Sequence, residues 1–378
     1  MSEVVVALDS FKGSIDARSA TAALARGLRR HPSGPVVHEH PVGDGGEGTL
    51  AALTSVGFVA ERVVACDPLG RPVDAHYAHR DGVAFVELAE ASGLGRLTGE
   101  VLGPATAETA STCGTGRLIA AALEAGHHTV VVGLGGSATT DGGSGLLAAL
   151  GARLLDESGR PLCCHPAPLA SVVEVDLSRL HPGLRTARLV LACDVDNPLL
   201  GPHGAASVYG PQKGADEETV ARLERSLTRW AGLLEDATGV RAAGTAGAGA
   251  AGGAGFALLA LGAEKRRGID LVLELTGLAG LLPGAGLVIT GEGTLDHQTL
   301  RGKAPAGIAA AARAAGTPVV AVAGRNLLAP QELTDAGFAA AFALTDLEPD
   351  VGRCLTDAAS LLEQVGERIA DEHFRARP

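Results

Sequence analysis

Residues 4–14 read VVVALDSFKGS: a short apolar run, then an aspartate, two serines, a lysine and a glycine in quick succession. A β-branched run without polar alternation is the pattern of a strand buried on both faces. The alanine-rich stretch near 17–30 predicts a helix, with Ser14 or Asp16 placed to cap it. The same order of strand, glycine-rich acidic loop and helix returns along the chain. Val36–Val42 leads into GDGGEGT at 43–49, and Thr129–Val132 into GLGGSATTDGGSG at 133–145 with a helix near 146–150. LVLAC at 189–193 ends in DVDNPL at 194–199, and LVIT at 287–290 precedes GEGTLD at 291–296. Further strands are predicted near 59–65, 73–78 and 83–88, and 216–237 reads as an amphipathic helix. The low-complexity segment 244–255 runs into FALLALG and reads as a glycine loop opening a helix rather than a linker. The fold class is therefore α/β, a mostly parallel sheet covered by helices. In such sheets ligands bind beyond the carboxyl ends of strands, where five acidic glycine loops fall here.

The 378 residues predict two or three domains on a prior of ~150 each. Hydrophobic content of 46% and 53 glycines with 3% aromatics suit tight βα turns around ample cores and exclude disorder. No apolar run approaches the ~20 residues that span a bilayer, and the chain starts on a strand-like run, so a soluble cytoplasmic protein is expected. A net charge of −12 without a basic, aromatic stripe argues against nucleic acid but allows an anionic small substrate in a locally cationic cleft. The six cysteines, at 66, 113, 163, 164, 193 and 354, lack paired C-x-x-C spacing, which predicts reduced thiols and neither a zinc site nor a disulfide scaffold.

The chain has 27 arginines but only four lysines, and Lys12, Lys213 and Lys303 each adjoin glycine. A compact ammonium in a glycine turn suits a phosphate or carboxylate, although solvated loop lysines look the same in sequence. In DSFKGS, Ser10 and Lys12 add donors to the amides of a helix N-terminus, while Asp9 is either a cation ligand, a base or a turn residue. Asp44 and Glu47 are hard carboxylates suited to Mg²⁺, or else a turn cap and a first-turn acid. GLGGSA contains G-x-G-x-x-A, a dinucleotide fingerprint, but TTDGGSG delays the helix that a Rossmann turn enters at once. Its hydroxyls at Ser137, Thr139 and Thr140, with Gly135 and Gly136, suit a polyphosphate or sugar acid. Asp194, Asp196 and Asn197 stand at a strand end, and GEGTLDHQTLRGK gathers Glu292, Asp296, Gln298 and Lys303. Neither a P-loop nor a G-x-S-x-G elbow is present in the sequence.

DSFKGS, PVGDGGEGT, DPLGRPV, LAEASGL, CGTGRLI, GLGGSATTDGG, ACDVDNPLLG, GPQKGA and ITGEGTLDHQTLRGK stand in an order and spacing that resemble the type I bacterial glycerate kinases from about residue 4 to 345. The resemblance implies ATP- and Mg²⁺-dependent phosphorylation of D-glycerate, generally at the 2-hydroxyl. It implies a flavodoxin- or Rossmann-like domain from both chain ends (1–68 plus 287–378), a second α/β domain inserted at 69–286, and a cleft between them; a homodimer is compatible with it. On this resemblance Asp194 is expected to orient or deprotonate the hydroxyl and Lys12 to face the transferring phosphoryl. Asp44 and Glu47 are the metal candidates; Gly135, Gly136, Ser137, Thr139, Thr140 and Lys213 the ATP-binding ones. Ser10, Arg71, Asn197, Glu292, Asp296 and Gln298 are the substrate-binding candidates. The chain departs from the family pattern at Leu8, Gly43, Cys113, Arg117, Asp196 and Thr294. Thr294 stands for an arginine of GEGRxDxQT, so a phosphate contact is lost unless Arg301 or Arg71 replaces it. Rival readings are a 3-phosphoglycerate-forming kinase, a nicotinamide-dependent hydroxy-acid dehydrogenase using 133–138, and a noncatalytic glycerate sensor.

Overall fold

The computed structural model describes residues 3–32, 34–167 and 169–374; the side chain of Arg301 lies outside the described ones. In chain order the strands are β1 (Glu3–Leu8), β2 (Val36–Glu39), β3 (Val59–Cys66), β4 (Pro72–Arg80), β5 (Val83–Glu87), β6 (Thr129–Gly133) and β7 (Arg153–Leu155). They continue with β8 (Glu174–Asp176), β9 (Arg188–Ala192), β10 (Glu264–Arg266), β11 (Leu287–Leu295), β12 (Val319–Asn326) and β13 (Ala340–Ala343). The chain divides into two compact units. The terminal unit comprises Met1–Asp44, Ala51–Gly57 and Ile269–Pro378, and the internal unit Gly45–Leu50 and Phe58–Gly268.

In the terminal unit five parallel strands run in the order β13-β12-β11-β1-β2. The opening run of the sequence explains its layers. Val4, Val6 and Leu8 point to one face, against Ala20, Leu24 and Leu28 of helix Ala17–Arg29 and Leu362, Val365 and Ile369 of helix Ala358–Phe374. Val5 and Ala7 point to the other, against Val272 of helix Gly268–Thr276 and Ile308 and Ala312 of helix Ala304–Ala314. Alternation along one strand thus feeds two hydrophobic layers, which is why no polar residue interrupts it. Asp16 caps the first helix, accepting from the Ser19 amide at 2.9 Å. Gly27 and Gly366 lie where the two helices touch; a Cβ on either would meet the other helix's backbone.

GEGTL, expected as a loop after LVIT, is the second half of β11. It stays in register with β12 from Val288↔Val319 to Leu295↔Asn326. Glycine composition suggests a loop, but ladder hydrogen bonds on a neighbouring strand hold the segment extended.

The internal unit carries a six-stranded sheet, β10-β9-β6-β5-β4-β3, in which β5, β6, β9 and β10 are parallel and β3 and β4 antiparallel. The antiparallel pair follows from a tight turn at 67–71. The buried Asp67 accepts from the amides of Leu69 and Arg71, both at 2.9 Å, so the chain reverses at once. A separate pair, β7 and β8, completes the strands of this unit. The 217–238 helix forms as its periodicity predicts, with Trp230 fully buried on its inner face. The segment 244–255 opens the helix Ala254–Ala260.

One expectation is overturned. Cys113 and Cys164, read as reduced thiols, form a disulfide across a sequence separation of 51, with Cα atoms 5.8 Å apart. The Ser111 hydroxyl donates to the Cys164 carbonyl at 2.6 Å in the same place. The pairing is made by packing the start of helix Cys113–Glu124 against the loop after β7, which no local spacing encodes. Among the described residues no group of three or more His, Cys, Asp or Glu side chains is arranged to hold a metal, and no helix is long and apolar enough to cross a membrane.

Candidate active site

The site residues of the terminal unit gather beyond the carboxyl ends of β1, β11 and β12. After Leu8 the Asp9 amide donates to Gly291 at 2.9 Å, and DSFKGS then closes on itself: Phe11 N–H donates to Ile15 and Ser14 N–H back to Phe11, both at 2.9 Å. The turn needs Gly13 at φ +78°, and it leaves Lys12 exposed at its tip. The Asp9 carboxylate is buried and accepts from the Ser10 amide at 2.6 Å. Burial, reinforced by the charges of Asp44 and Glu292 and opposed by the Ser10 amide and Lys12, pushes its pKa up to about 7.

Glu292, a β11 residue, is buried and holds two partners: the Thr299 hydroxyl at 2.6 Å and the Lys303 ammonium at 2.9 Å. Burial opposes the charged form of Lys303, but the Glu292 bond and the charges of Glu292, Asp296 and Asp44 outweigh it and raise its pKa. Asp296 accepts from the amides of Gln298 at 2.8 Å and Thr299 at 3.2 Å, which fixes the turn that follows β11. Burial works against its ionised form, yet those amides and the charge of Lys303 carry its pKa below the usual carboxylate range. Gln298 itself is exposed. A cavity of about 260 Å³ opens here, with Ser10, Lys12, Glu292, Asp296 and Lys303 among its lining.

In the internal unit a second set is built on glycine contacts. Gly133 and Gly135 lie against the backbone of Gly45 and Gly46, so that a Cβ on either would collide with it. These glycines permit two loops to pack, and the following helix begins only at Ser144. Nothing in this geometry delivers a helix N-terminus to a pyrophosphate directly after β6, as the dinucleotide reading requires. Glu87, the last residue of β5, accepts from the amides of Gly48 at 2.9 Å and Leu50 at 2.8 Å. It thereby clamps the start of the helix after GDGGEGT. Burial drives its pKa up to about 7 against those two amides, with the charges of Glu90 and Glu47 adding to the rise. Glu47 is exposed.

The hydroxyl loop is held by a buried ion pair that sequence reading only half saw. Asp141 is 1% exposed and accepts from the Thr112 amide and hydroxyl, both at 2.8 Å, and from the amides of Gly143 and Gly145 at 3.0 and 3.2 Å. Burial raises its pKa against these donors. Lys213, equally buried, donates to the Thr139 carbonyl at 2.6 Å; burial pushes its pKa down to about 7, against the charge of Asp141. Lys213 therefore braces the loop from behind. Ser137 pairs across a β-bridge with Gly93, and the buried hydroxyls of Thr139 and Thr140 have no protein partner.

Asp194 stands exposed after β9 and accepts from the Gly268 amide at 3.1 Å. Asn197 is committed to its own loop, donating to the His203 carbonyl at 2.8 Å and accepting from the Tyr209 hydroxyl at 2.7 Å. Arg71 is held by Asp67 and Glu100, each at 2.6 Å, in the turn between β3 and β4. Neither side chain is positioned as a substrate donor in this arrangement. Glu87 and Asp141 escaped sequence reading although each left a trace: an acid closing the apolar strand VAFVE, and an acid between threonine and glycine in TTDGG.

The sequence profile described as the glycerate kinase family matches residues 4–373. The chain is 40% identical to the glycerate kinase of Halalkalibacterium halodurans over 374 residues, covering 98% of both chains. It is 41% identical over 327 residues to a protein of Escherichia coli K12 named glycerate 2-kinase, covering 85% of both. A crystal structure from Salmonella typhimurium LT2, reported under the name glycerate kinase 2, superposes with a TM-score of 0.84 at 37% identity, covering 98% of both chains.

Proposed function

The chain belongs to the glycerate kinase family, and we propose that it transfers the γ-phosphoryl group of ATP to the 2-hydroxyl of D-glycerate, giving 2-phosphoglycerate. The observation that carries this reading is agreement of the family profile over residues 4–373 together with the acidic glycine loops at the strand ends. The 2-hydroxyl is preferred because the E. coli relative carries that name. A cytoplasmic setting is in keeping with these substrates.

In a phosphoryl transfer the protein chiefly positions the reactants and neutralises spreading charge. Asp194, exposed and oriented by the Gly268 amide, is assigned to orient or deprotonate the attacking hydroxyl. Lys12, at the tip of a rigid turn and without a carboxylate partner among the described residues, is assigned to the transferring phosphoryl group. Ser137 and the amides around Gly135 and Gly136 are assigned to phosphate oxygens, with Thr139 and Thr140 shaping the loop.

Mg²⁺ fits the donor set of the 43–49 loop. Asp44 and Glu47 offer hard oxygens, and the rise of Asp9 to about 7 beside Asp44 and Glu292 reports the local negative potential that a divalent cation would relieve. When bound, the ion supplies charge neutralisation on the phosphate oxygens.

Phosphorus NMR of the product from D-glycerate and MgATP tests the reading. A 2-phosphoglycerate resonance is expected. A 3-phosphoglycerate resonance overturns the regiochemistry, and ADP formation independent of glycerate, or no ADP at all, overturns the activity.

A further inference from the structure

The 260 Å³ cavity of the terminal unit is larger and more apolar than a three-carbon acid calls for. One wall consists of Phe11, Leu344, Val351 and Leu355. Val351 and Leu355 are one helical turn apart on helix Val351–Thr356, so they face the same way. They are 49% and 46% exposed, although neighbouring side chains of this unit bury their apolar surface. The wall is tied to the DSFKGS turn by the Ser14 hydroxyl, which donates to the Leu355 carbonyl at 2.6 Å. It is thus held open by a specific bond on a short, capped helix.

The opposite rim is cationic. Lys12, Lys303 and Arg325 all line the cavity, and among the described residues Lys12 and Arg325 have no hydrogen-bond or ion-pair partner. That is unusual in a chain with 43 acidic residues, where most described arginines are paired. Arg325 sits on β12 in register with Thr294 of β11. Paired positions of adjacent parallel strands carry side chains to the same face, so Arg325 brings a guanidinium to the surface that Thr294 occupies. Thr294 is the place where the family pattern has arginine, and the neighbouring strand restores the cation.

We infer that this cavity receives the nucleoside end of the phosphate donor, a purine lying on the Leu344–Val351–Leu355 wall with its phosphates passing over Arg325 and Lys12. The assignment rests on the phosphotransfer reading above for the identity of the donor. An apolar, half-exposed wall complements the faces of a flat base, and a planar guanidinium with an ammonium complements phosphate oxygens.

The test is made on the purified full chain. Wild-type protein is photolabelled with 8-azido-ATP and the modified peptide mapped; label within 11–14 or 344–355 is expected. Label confined elsewhere overturns the inference. In parallel, adenosine and inorganic tripolyphosphate are titrated as competitors of a fluorescent ADP. Leu355→Gln should weaken adenosine about tenfold and leave tripolyphosphate unchanged, and Arg325→Ala should do the reverse. A Leu355→Gln enzyme whose KM rises for D-glycerate but not for ATP would give the cavity to the acid instead. The two readings fail separately. Label at 344–355 without phosphoglycerate formation would sink the glycerate kinase activity alone, and phosphoglycerate formation with label elsewhere would sink the nucleoside site alone.

Discussion

Replacing Glu87 by glutamine keeps the size of a fully enclosed side chain and removes its charge. Both carboxylate oxygens accept a backbone amide, Gly48 at 2.9 Å and Leu50 at 2.8 Å, and glutamine can serve only one of them. One buried amide then faces an NH₂ donor, which costs about 1–3 kcal/mol. The pH dependence separates this from a generic packing defect. Burial raises the Glu87 pKa from 4.5 to about 7. A folded-state pKa above the unfolded one means that the native state binds more protons between the two values. The associated stability is fully present below 4.5 and is lost as pH rises through about 7. The gap, at ~1.36 kcal/mol per pH unit, makes about 3 kcal/mol. Urea unfolding of wild type and Glu87→Gln across the range from about pH 4 to pH 8.5 should show the wild-type advantage shrinking as pH rises. Activity at neutral pH should fall as well, because the clamp sets the start of the helix behind GDGGEGT. Two stability curves running parallel over that range would refute the argument that Glu87 is an enclosed carboxylate held by amides.

Asp194→Asn should lower kcat by ~10²–10⁴-fold if the side chain is a general base, with ATP affinity little changed; wild-type turnover removes it from the reaction. Lys12→Ala should lower kcat sharply, and a change confined to the KM of glycerate would move Lys12 to the acid's carboxylate. Cys164→Ser should cost about 4 kcal/mol of stability in oxidising buffer, the loop-closure value for a separation of 51 residues, and nothing in excess reductant. Equal stability of both proteins in oxidising buffer would show that the cross-link is not formed. Gly366→Ala, which directs a Cβ at the backbone of the first helix, should lower stability by roughly 1–3 kcal/mol; an unchanged denaturation midpoint would show that the helices part at no cost.

The fold was largely legible. VVVAL could only be a strand covered on both faces, Asp16 could be picked as a cap, and the 217–238 helix announced itself by period. Glycine content misled at GEGTL, where pairing with β12 keeps five residues extended that would otherwise turn. Of the candidate site residues, those whose role is to stand at a strand end were readable. Asn197, Arg71 and Lys213 were not, because a sequence names a donor without saying which acceptor it meets.

What the sequence determined by itself is therefore the local grammar: which runs are strands, which loops are acidic and glycine-rich, and that their combination matches one kinase family. Those properties depend on neighbours along the chain, within reach of a helical or strand period. Only the tertiary structure decided that Lys213 braces Thr139 from within, that Glu87 closes the start of a helix 37 residues before it, and that Cys113 meets Cys164. It alone set Arg325 beside Thr294. Each is a contact across dozens of residues, fixed by how sheets and helices pack around a core, and side-chain chemistry carries no record of that distance until the chain has folded.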